Sequence, residues 1–366
     1  PGDTYANRMP DPVLQQVEHF SNPGMTANDS FKPVTKYFDR ITRPEQILQS
    51  LPQAIQTMLD PAECGPACLS LCQDVQGETF DYPEEFFKER IHNIRRPRPD
   101  DFQIKQAVEK IKNSKKPIII SGGGVFYSDA MDELGNFAVK HNIPVTQTVM
   151  GYSTMKKDHS HFVGPIGGLG GKAANNLAKE TDLAICIGTK LADFTTGSWA
   201  NFENPEFKLV SINITRHDAN KHLGEAVIGD AKVTLTELSN AIGDWKSSDN
   251  WHKKSQDELK SWNEYVDKES GPTNQELPSY AHAVGAIYRN SDPTDIAVTA
   301  AGGLVGEVVQ VWRPKELNTH ETEWGFSCMS YEISGALGIK MANPDKDVIA
   351  FVGDGSYLLN NSDIYS

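Results

Sequence analysis

The segment "VIAFVGDGSYLL" holds the residues with the clearest capacity for chemistry. An unbroken apolar run, residues 348–352, reads as a strand that delivers Asp354, set between Gly353 and Gly355, to its carboxyl end. Open parallel sheets bind ligands at that edge. Gly355 and Ser356 begin the following helix, and N–H groups at a helix N-terminus favour phosphate. A carboxylate beside them repels phosphate directly, but it can hold a divalent cation such as Mg2+ that bridges to the phosphate. The tripeptide is also compatible with an aspartate capping a helix in an ordinary turn. A second segment, "TAAGGLVGEVVQVW", puts Gly302 and Gly303 at the end of a neighbouring strand. Two glycine turns would then share one crevice, a suitable seat for a diphosphate. "GFSCMSYEISGALGIKM" lies between them in the chain, and Met329, taken alone, reads as a core residue of its helix.

The elements that must position these residues follow from the hydrophobic pattern. Strands are predicted at residues 117–121, 143–148, 182–188 and 208–214, with helices at 128–141 and 172–180. Continuous apolar strands alternating with amphipathic helices imply an α/β fold with parallel sheets covered on both faces. Before this regular part, residues 1–83 mix loops with helical patterns such as "RPEQILQSLPQAIQTML" and end in a strand at 67–71. "RRPRPD", 95–100, reads as a linker, because each proline restricts both its own backbone and its neighbour's. After residue 242 a polar stretch dotted with tryptophan reads as a charged helix and connector. The last part opens near Leu277 with a helix at 279–290 and a strand at 295–299, and closes with the strand at 347–352.

Two other glycine-rich turns are weaker. "SGGGVFYSDA" sits where a dinucleotide fingerprint would, but Tyr127 occupies the third glycine position and no acid follows the next strand. A tight strand-to-helix turn is the expected reading, and the central domain is expected to bind neither NAD nor FAD tightly. "GPIGGLGGKAANN" approaches a phosphate loop, yet Ile166 stands at the first glycine position and Ala173 replaces the metal-binding hydroxyl. No convincing strand precedes it, and the loop around Gly167–Gly171 reads as mobile and near a ligand.

Five cysteines do not form a disulfide framework. Cys64, Cys68 and Cys72 are read on one buried strand, "CGPACLSLC", where residues four apart lie about 13 Å from one another, too far to share a zinc ion. They are expected to be small apolar thiols facing a core. A formal charge of -14 argues against a nucleic-acid surface. No apolar run approaches the roughly 20 residues that a membrane helix needs. The expected compartment is the cytosol, and a chain of 366 residues with 38% hydrophobic content has room for two or three cores. The absence of an initiator Met at Pro1 and the ending at Ser366 within a helix just begun read as a fragment of a longer chain.

Gly353 to Ser356 resemble the first half of the motif of thiamine-diphosphate-dependent enzymes, which begins GDG and ends some 25 to 30 residues later in Asn; Asn360 and Asn361 come too early to be that residue. The order of units is similar to the acetolactate-synthase-like architecture. "GPACLSLCQDVQ" resembles the closing strand of its first domain. Within that superfamily "PGDTYANRMPDPVLQQVEHF", "QDVQGETFDYPEEFF", "GFSCMSYEISGALG" and "GDGSYLLNNSD" resemble the trihydroxycyclohexanedione hydrolases of inositol catabolism, so the likeness spans nearly the whole chain. Ser330, where the superfamily has Gly, and Cys68 and Cys72 depart from its pattern.

The resemblance implies a three-domain thiamine-diphosphate enzyme architecture with incomplete first and last domains: 1–94 the C-terminal part of a pyrimidine-binding domain, 95–245 a central Rossmann-like domain, 246–276 a connector, and 277–366 the N-terminal part of a diphosphate-binding domain. It implies thiamine diphosphate and Mg2+ as cofactors, with Gly302, Gly303, Gly353, Gly355 and Ser356 holding the diphosphate and Asp354 the metal. Met329 would support the middle of the bent cofactor, where a soft unbranched side chain suits the contact. The Ser327 carbonyl would accept a hydrogen bond from the aminopyrimidine. The cofactor would act as nucleophile and electron sink on a cyclic 1,2-diketone, cleaving a ring carbon–carbon bond with water to leave a deoxy-glucuronic acid. The activating glutamate is expected upstream of Pro1, so no catalytic residue is assigned within the chain, and Glu18, Glu63 and Glu78 are not put in its place. A homodimer or larger assembly with shared active sites is implied. The rivals are an acetolactate-synthase-like or other 2-oxo acid lyase, a nucleotide-dependent oxidoreductase built on the central domain, and a non-catalytic cofactor-binding remnant.

Overall fold

The computed structural model describes residues 1–365 apart from 10–12, 15, 17 and 20, and the side chain of Glu18 lies outside the described residues. Parts of "PGDTYANRMPDPVLQQVEHF" and the final Ser366 are therefore not described. The chain divides into two compact units, Pro1–Arg95 and Arg96–Ser366.

In the first unit β1 (Gly2–Asp3), β4 (Tyr37–Ile41) and β5 (Ala67–Cys72) form a parallel sheet in the order β1-β5-β4, and β2 (Glu18–His19) pairs antiparallel with β3 (Asn22–Thr26). Helix α1 (Ile47–Leu59) packs on β4 and β5. Asp3 is fully buried and pairs with Arg40 at 2.6 Å, and Arg40 also reaches Asp29 at 2.7 Å. Each carboxylate is thus matched as burial demands. Cys68 and Cys72 are buried on β5, but Cys64 is exposed, outside the strand, with its thiol on the Met58 carbonyl. The expected single strand through all three fails because Gly65-Pro66 interrupts it, and proline cannot donate to a ladder.

The second unit contains a six-stranded parallel sheet of β6 (Pro117–Ser121), β7 (Val145–Gln147), β8 (Phe162–Pro165), β9 (Leu183–Ile187), β10 (Lys208–Asn213) and β11 (Glu225–Ile228), in the order β11-β10-β9-β6-β7-β8. The order reverses at β6, so the crevice between β6 and β9 is a topological switch point. Both faces are covered: Ile119 joins one buried cluster, while Ile118 and Ile120 point to another. The helices around it are α2 (Asp101–Lys112), α3 (Gly124–Tyr127), α4 (Met131–His141), α5 (Lys172–Glu180), α6 (Asp193–Thr196), α7 (Arg216–Asn220) and α8 (Ala231–Ile242).

Three expectations change here. The helix predicted at 128–141 forms as α4 but starts later, at Met131, because Asp129 takes a left-handed φ of 52° after the short α3. A strand, β8, does precede the "GPIGGLGG" loop; its short run, ended by Pro165, hid it. Some predicted strands also shorten at their carboxyl ends, as where Gly188, at φ 60°, stops β9, while β6 keeps its predicted bounds.

The charged stretch after residue 242 forms α9 (Asp249–Glu269), whose Trp251, Ser255, Leu259, Trp262 and Val266 are buried. That spacing of three and four residues draws an apolar stripe that packs on α5. Helix α10 (Tyr280–Asn290) leads into a three-stranded parallel sheet of β12 (Ile296–Thr299), β13 (His320–Thr322) and β14 (Val348–Ala350), ordered β13-β12-β14. Helices α11 (Gly303–Val311), α12 (Tyr331–Ala342) and α13 (Asp354–Asn360) complete the last part.

Candidate cofactor site

Every sequence-predicted site residue in this part belongs to one of three segments that the last sheet brings to one edge. Strands β12 and β14 pair in parallel, with Val298 opposite Ala350, so the turn at Gly302 and the turn at Gly353 leave neighbouring strands on the same side. The third segment, 323–330, leads from β13 into α12 and touches both turns. The Ser327 hydroxyl donates to the Ala300 carbonyl at 3.4 Å, and the Ser330 hydroxyl donates to the Ser356 carbonyl at 2.6 Å. Met329 is 48% exposed, and its Cε lies 3.0 Å from where a Cβ on Gly355 would stand. Met329 is therefore not a core residue; it is a partly bare shelf beside the aspartate turn.

The glycines leave room for a ligand. Nothing lies within 4 Å of a Cβ built on Gly302, Gly303 or Gly353. Gly302 has φ 77° and ψ -168°, a conformation that an L side chain resists, and it caps α11 with free backbone N–H groups beyond it. Asp354 is exposed at the first position of α13, and one of its oxygens accepts from the Gly355 N–H at 2.9 Å. Among the described residues no cluster of three or more metal-ligating side chains exists. A single hard carboxylate beside a phosphate seat suits Mg2+, which keeps waters and takes one or two carboxylates plus phosphate oxygens.

Ser330 explains one departure from the family pattern. Its φ is 80° and its ψ -7°, left-handed backbone that glycine adopts freely and a β-carbon resists by about 1 to 2 kcal/mol. The buried hydroxyl's bond to Ser356 offsets that cost, tying α12 to α13. Ser330→Gly should be close to neutral in urea unfolding, since strain and one hydrogen bond leave together, whereas Ser330→Ala keeps the strain and loses the bond, costing about 1 to 2 kcal/mol. Finding alanine as stable as glycine there would refute this account.

Sequence reasoning missed two acids around this edge. The Glu323 carboxylate accepts from the N–H of Phe326 at 2.8 Å and of Cys328 at 2.6 Å. Glu332, fully buried in the first turn of α12, accepts from the Ala301 N–H at 3.3 Å, and its other oxygen has no partner among the described residues. Only the Thr- and Glu-rich composition of 319–323, "THETE", hinted at such a loop anchor.

The other glycine turns are packing devices. A Cβ on Gly122 would collide with the Gly188 carbonyl, and one on Gly124 would stand 2.6 Å from the Gly188 Cα, so these residues let the β6 turn touch the β9 turn. In "GPIGGLGG" a Cβ on Gly167 would strike the Phe194 carbonyl, and one on Gly171 would stand 2.6 Å from Trp262. Leu169 packs against Val305 and Val309 of α11, and Gln310 donates to its carbonyl at 3.2 Å. The loop expected to lie free near a ligand is a wedge between the two sheets' layers. A crevice of about 570 Å3 at the switch point runs from Gly123 and Lys190 to Trp324 and Ser327, reaching the same segment that flanks the glycine turns.

Comparison with known proteins agrees with this geometry. Residues 104–238 match the family described as thiamine pyrophosphate enzyme, central domain, and residues 300–365 match thiamine pyrophosphate enzyme, C-terminal TPP binding domain. The chain belongs to the thiamine pyrophosphate enzymes. It is similar, at 41% identity over 100% of its length and 61% of the relative's, to a protein of Clostridium perfringens named 3D-(3,5/4)-trihydroxycyclohexane-1,2-dione hydrolase. Proteins of the same name from Clostridium botulinum, with 60% of the relative covered, and from Bacillus licheniformis, with 61% covered, are each 41% identical over the whole chain. The chain thus spans about 61% of the length of the curated relatives it matches. Thiamine diphosphate is the cofactor of the family, and the open glycines, the Met329 shelf and the lone exposed carboxylate fit it. Among the described residues no helix is long and apolar enough to cross a membrane.

Proposed function

We propose that the full-length protein hydrolyses a ring carbon–carbon bond of trihydroxycyclohexane-1,2-dione, a cyclic diketone of inositol breakdown, with thiamine diphosphate and Mg2+, giving a deoxy-glucuronic acid. One observation carries the reading: Gly302, Met329 and Asp354, far apart in the chain, converge on one edge of the last sheet, with open space beside Gly302 and Gly353. The names of the full-length relatives support the substrate.

In this reading the N–H groups following Gly302 and Gly353 hold the diphosphate, and Gly355 and Ser356 extend that cradle at the start of α13. Asp354 holds Mg2+ against the diphosphate. Met329 supports the middle of the bound molecule through its polarizable side chain. The Ser327 carbonyl accepts a hydrogen bond from the aminopyrimidine and so selects its tautomer. When bound, thiamine diphosphate supplies the nucleophilic carbon and the electron sink for carbon–carbon cleavage.

The exposed apolar side chains around the seat, Phe326, Leu358 and Leu359 among them, support a homo-oligomer in which a second chain covers the site and contributes to it. Five free cysteines fit a reducing, cytoplasmic setting. The test is turnover of the full-length protein on the inositol-derived diketone, with pyruvate as control. Diketone cleavage that requires thiamine diphosphate and Mg2+ is expected. Turnover of pyruvate alone would assign a 2-oxo acid lyase, and cofactor binding with neither substrate consumed would assign a non-catalytic role.

A further inference from the structure

The geometry points to Glu323 as the positioning residue of the cofactor site: its carboxylate clamps the backbone of the 325–329 loop and so presents the Ser327 carbonyl and the Met329 shelf. This rests on the cofactor reading above. The loop joins β13 to α12 and most of it is exposed, Phe326 at 91%. Its residues find few partners in the core, and Ser327 has φ 52°, left-handed backbone that a serine leaves when nothing holds it. An exposed loop in a disfavoured conformation needs a restraint. Glu323 supplies one from the residue directly after the strand, with its two oxygens spent on separate donors: Oε1 takes the Phe326 N–H at 2.8 Å and Oε2 the Cys328 N–H at 2.6 Å. Those N–H groups lie on either side of Ser327. The Cys328 N–H shares its peptide plane with the Ser327 carbonyl, so that bond sets the carbonyl's direction, while the bond to the Phe326 N–H holds the Gly325–Phe326 peptide group one residue before.

The electrostatics agree. Partial burial acts to raise the Glu323 pKa, but the N–H groups of Phe326 and Cys328 more than offset it and hold the carboxyl below the usual glutamate range, so the clamp is charged at neutral pH. Hydrogen bonds to an ionised acceptor are about twice as strong as neutral ones. The Cys328 thiol is pushed up by burial and then by the Glu323 charge, which keeps it a neutral donor. At the other end the loop is tied by the Ser330 hydroxyl on Ser356. Between these two ties lie the residues whose roles depend on position: Ser327 through its carbonyl and Met329 through its side chain.

Glu323→Gln keeps one acceptor and Glu323→Ala keeps none, so a graded response is expected. Amide hydrogen exchange of residues 325–329, followed in full-length protein without cofactor, should speed up by about 10-fold or more in Glu323→Ala and less in Glu323→Gln. Thiamine diphosphate affinity, read by calorimetry, should fall by about 10-fold in the alanine variant, while the melting temperature of the cofactor-free protein stays within a few degrees. Glu321→Gln, on the strand that Glu323 follows, should change neither readout. Unchanged exchange in Glu323→Ala would overturn the clamp, and faster exchange with unchanged affinity would overturn its role in positioning the site. Failure of the cofactor reading itself would show differently, as thiamine diphosphate binding that is insensitive to Asp354 in the parent protein.

Discussion

Asp354→Asn in the full-length protein is expected to weaken Mg2+-dependent binding of thiamine diphosphate by at least about 100-fold, the upper end of what even outer-sphere partners of a metal contribute. The substitution isolates charge from shape. Asparagine keeps a carbonyl that can accept from the Gly355 N–H, so the local turn that opens α13 survives. What disappears is the negative charge of the carboxylate that the fold exposes beside two open glycine turns, and a hard cation binds a neutral amide far less well. Titration calorimetry with and without Mg2+ gives the answer. Cofactor affinity that is unchanged, and equally metal-dependent, would remove Asp354 from the metal site.

Acid sensitivity is the second large effect. His320 on β13 is 4% exposed and stands edge-on to the buried Tyr152 ring at 5.4 Å; burial lowers its pKa to about 4. His161 is 5% exposed, stacks on His252 at 4.3 Å and meets the Asn142 side-chain oxygen at 3.2 Å. Burial first, then the charges of His252 and His159, lower its pKa to about 4. Both imidazoles are thus neutral in the fold and more basic in the unfolded chain, whose histidines titrate near 6.5. The unfolded chain takes up protons first as pH falls. Stability is therefore unaffected above about pH 6.5 and is lost between there and about pH 4, by up to roughly 3 kcal/mol for each histidine. Against a total of about 5 to 15 kcal/mol this is a large share. Urea midpoints measured from pH 7 to pH 4.5 should fall steeply, and His320→Gln should flatten the slope. A midpoint independent of pH across that window would contradict the burial of neutral imidazoles.

The tertiary fold makes these histidines consequential, and nothing in their local sequence marks them. "KDHSHF" reads as a polar loop, yet it is folded onto α9 so that His161 meets His252, 91 residues further along the chain. Likewise "CGPACLSLC" carries the apolar composition of a strand from end to end, and only the Gly65-Pro66 break leaves Cys64 outside it. The short strands β8, β11 and β13 escaped the pattern reading because three or four residues show too little periodicity to separate strand from turn.

By itself the sequence determined the α/β class, the parallel sheets, and the two turns, "GDGS" and "AAGG", at which the cofactor is proposed to bind, because those depend on local properties: runs of buried β-branched residues, glycines where a backbone must be bare, and a carboxylate at a strand's end. It could not decide which glycines face a ligand and which face another backbone. That distinction is set by what lies opposite: open space at Gly302, Gly303 and Gly353, the Gly188 turn at Gly122 and Gly124, and Trp262 at Gly171. Nor could it reveal that Met329 is a shelf and not a core residue, that Ser330 spends its hydroxyl on Ser356, or that Glu323 bridges two backbone amides. Those roles arise from approach between segments far apart in the chain, whose distance the tertiary structure alone sets, and hydrogen bonds and van der Waals contacts exist only at that distance.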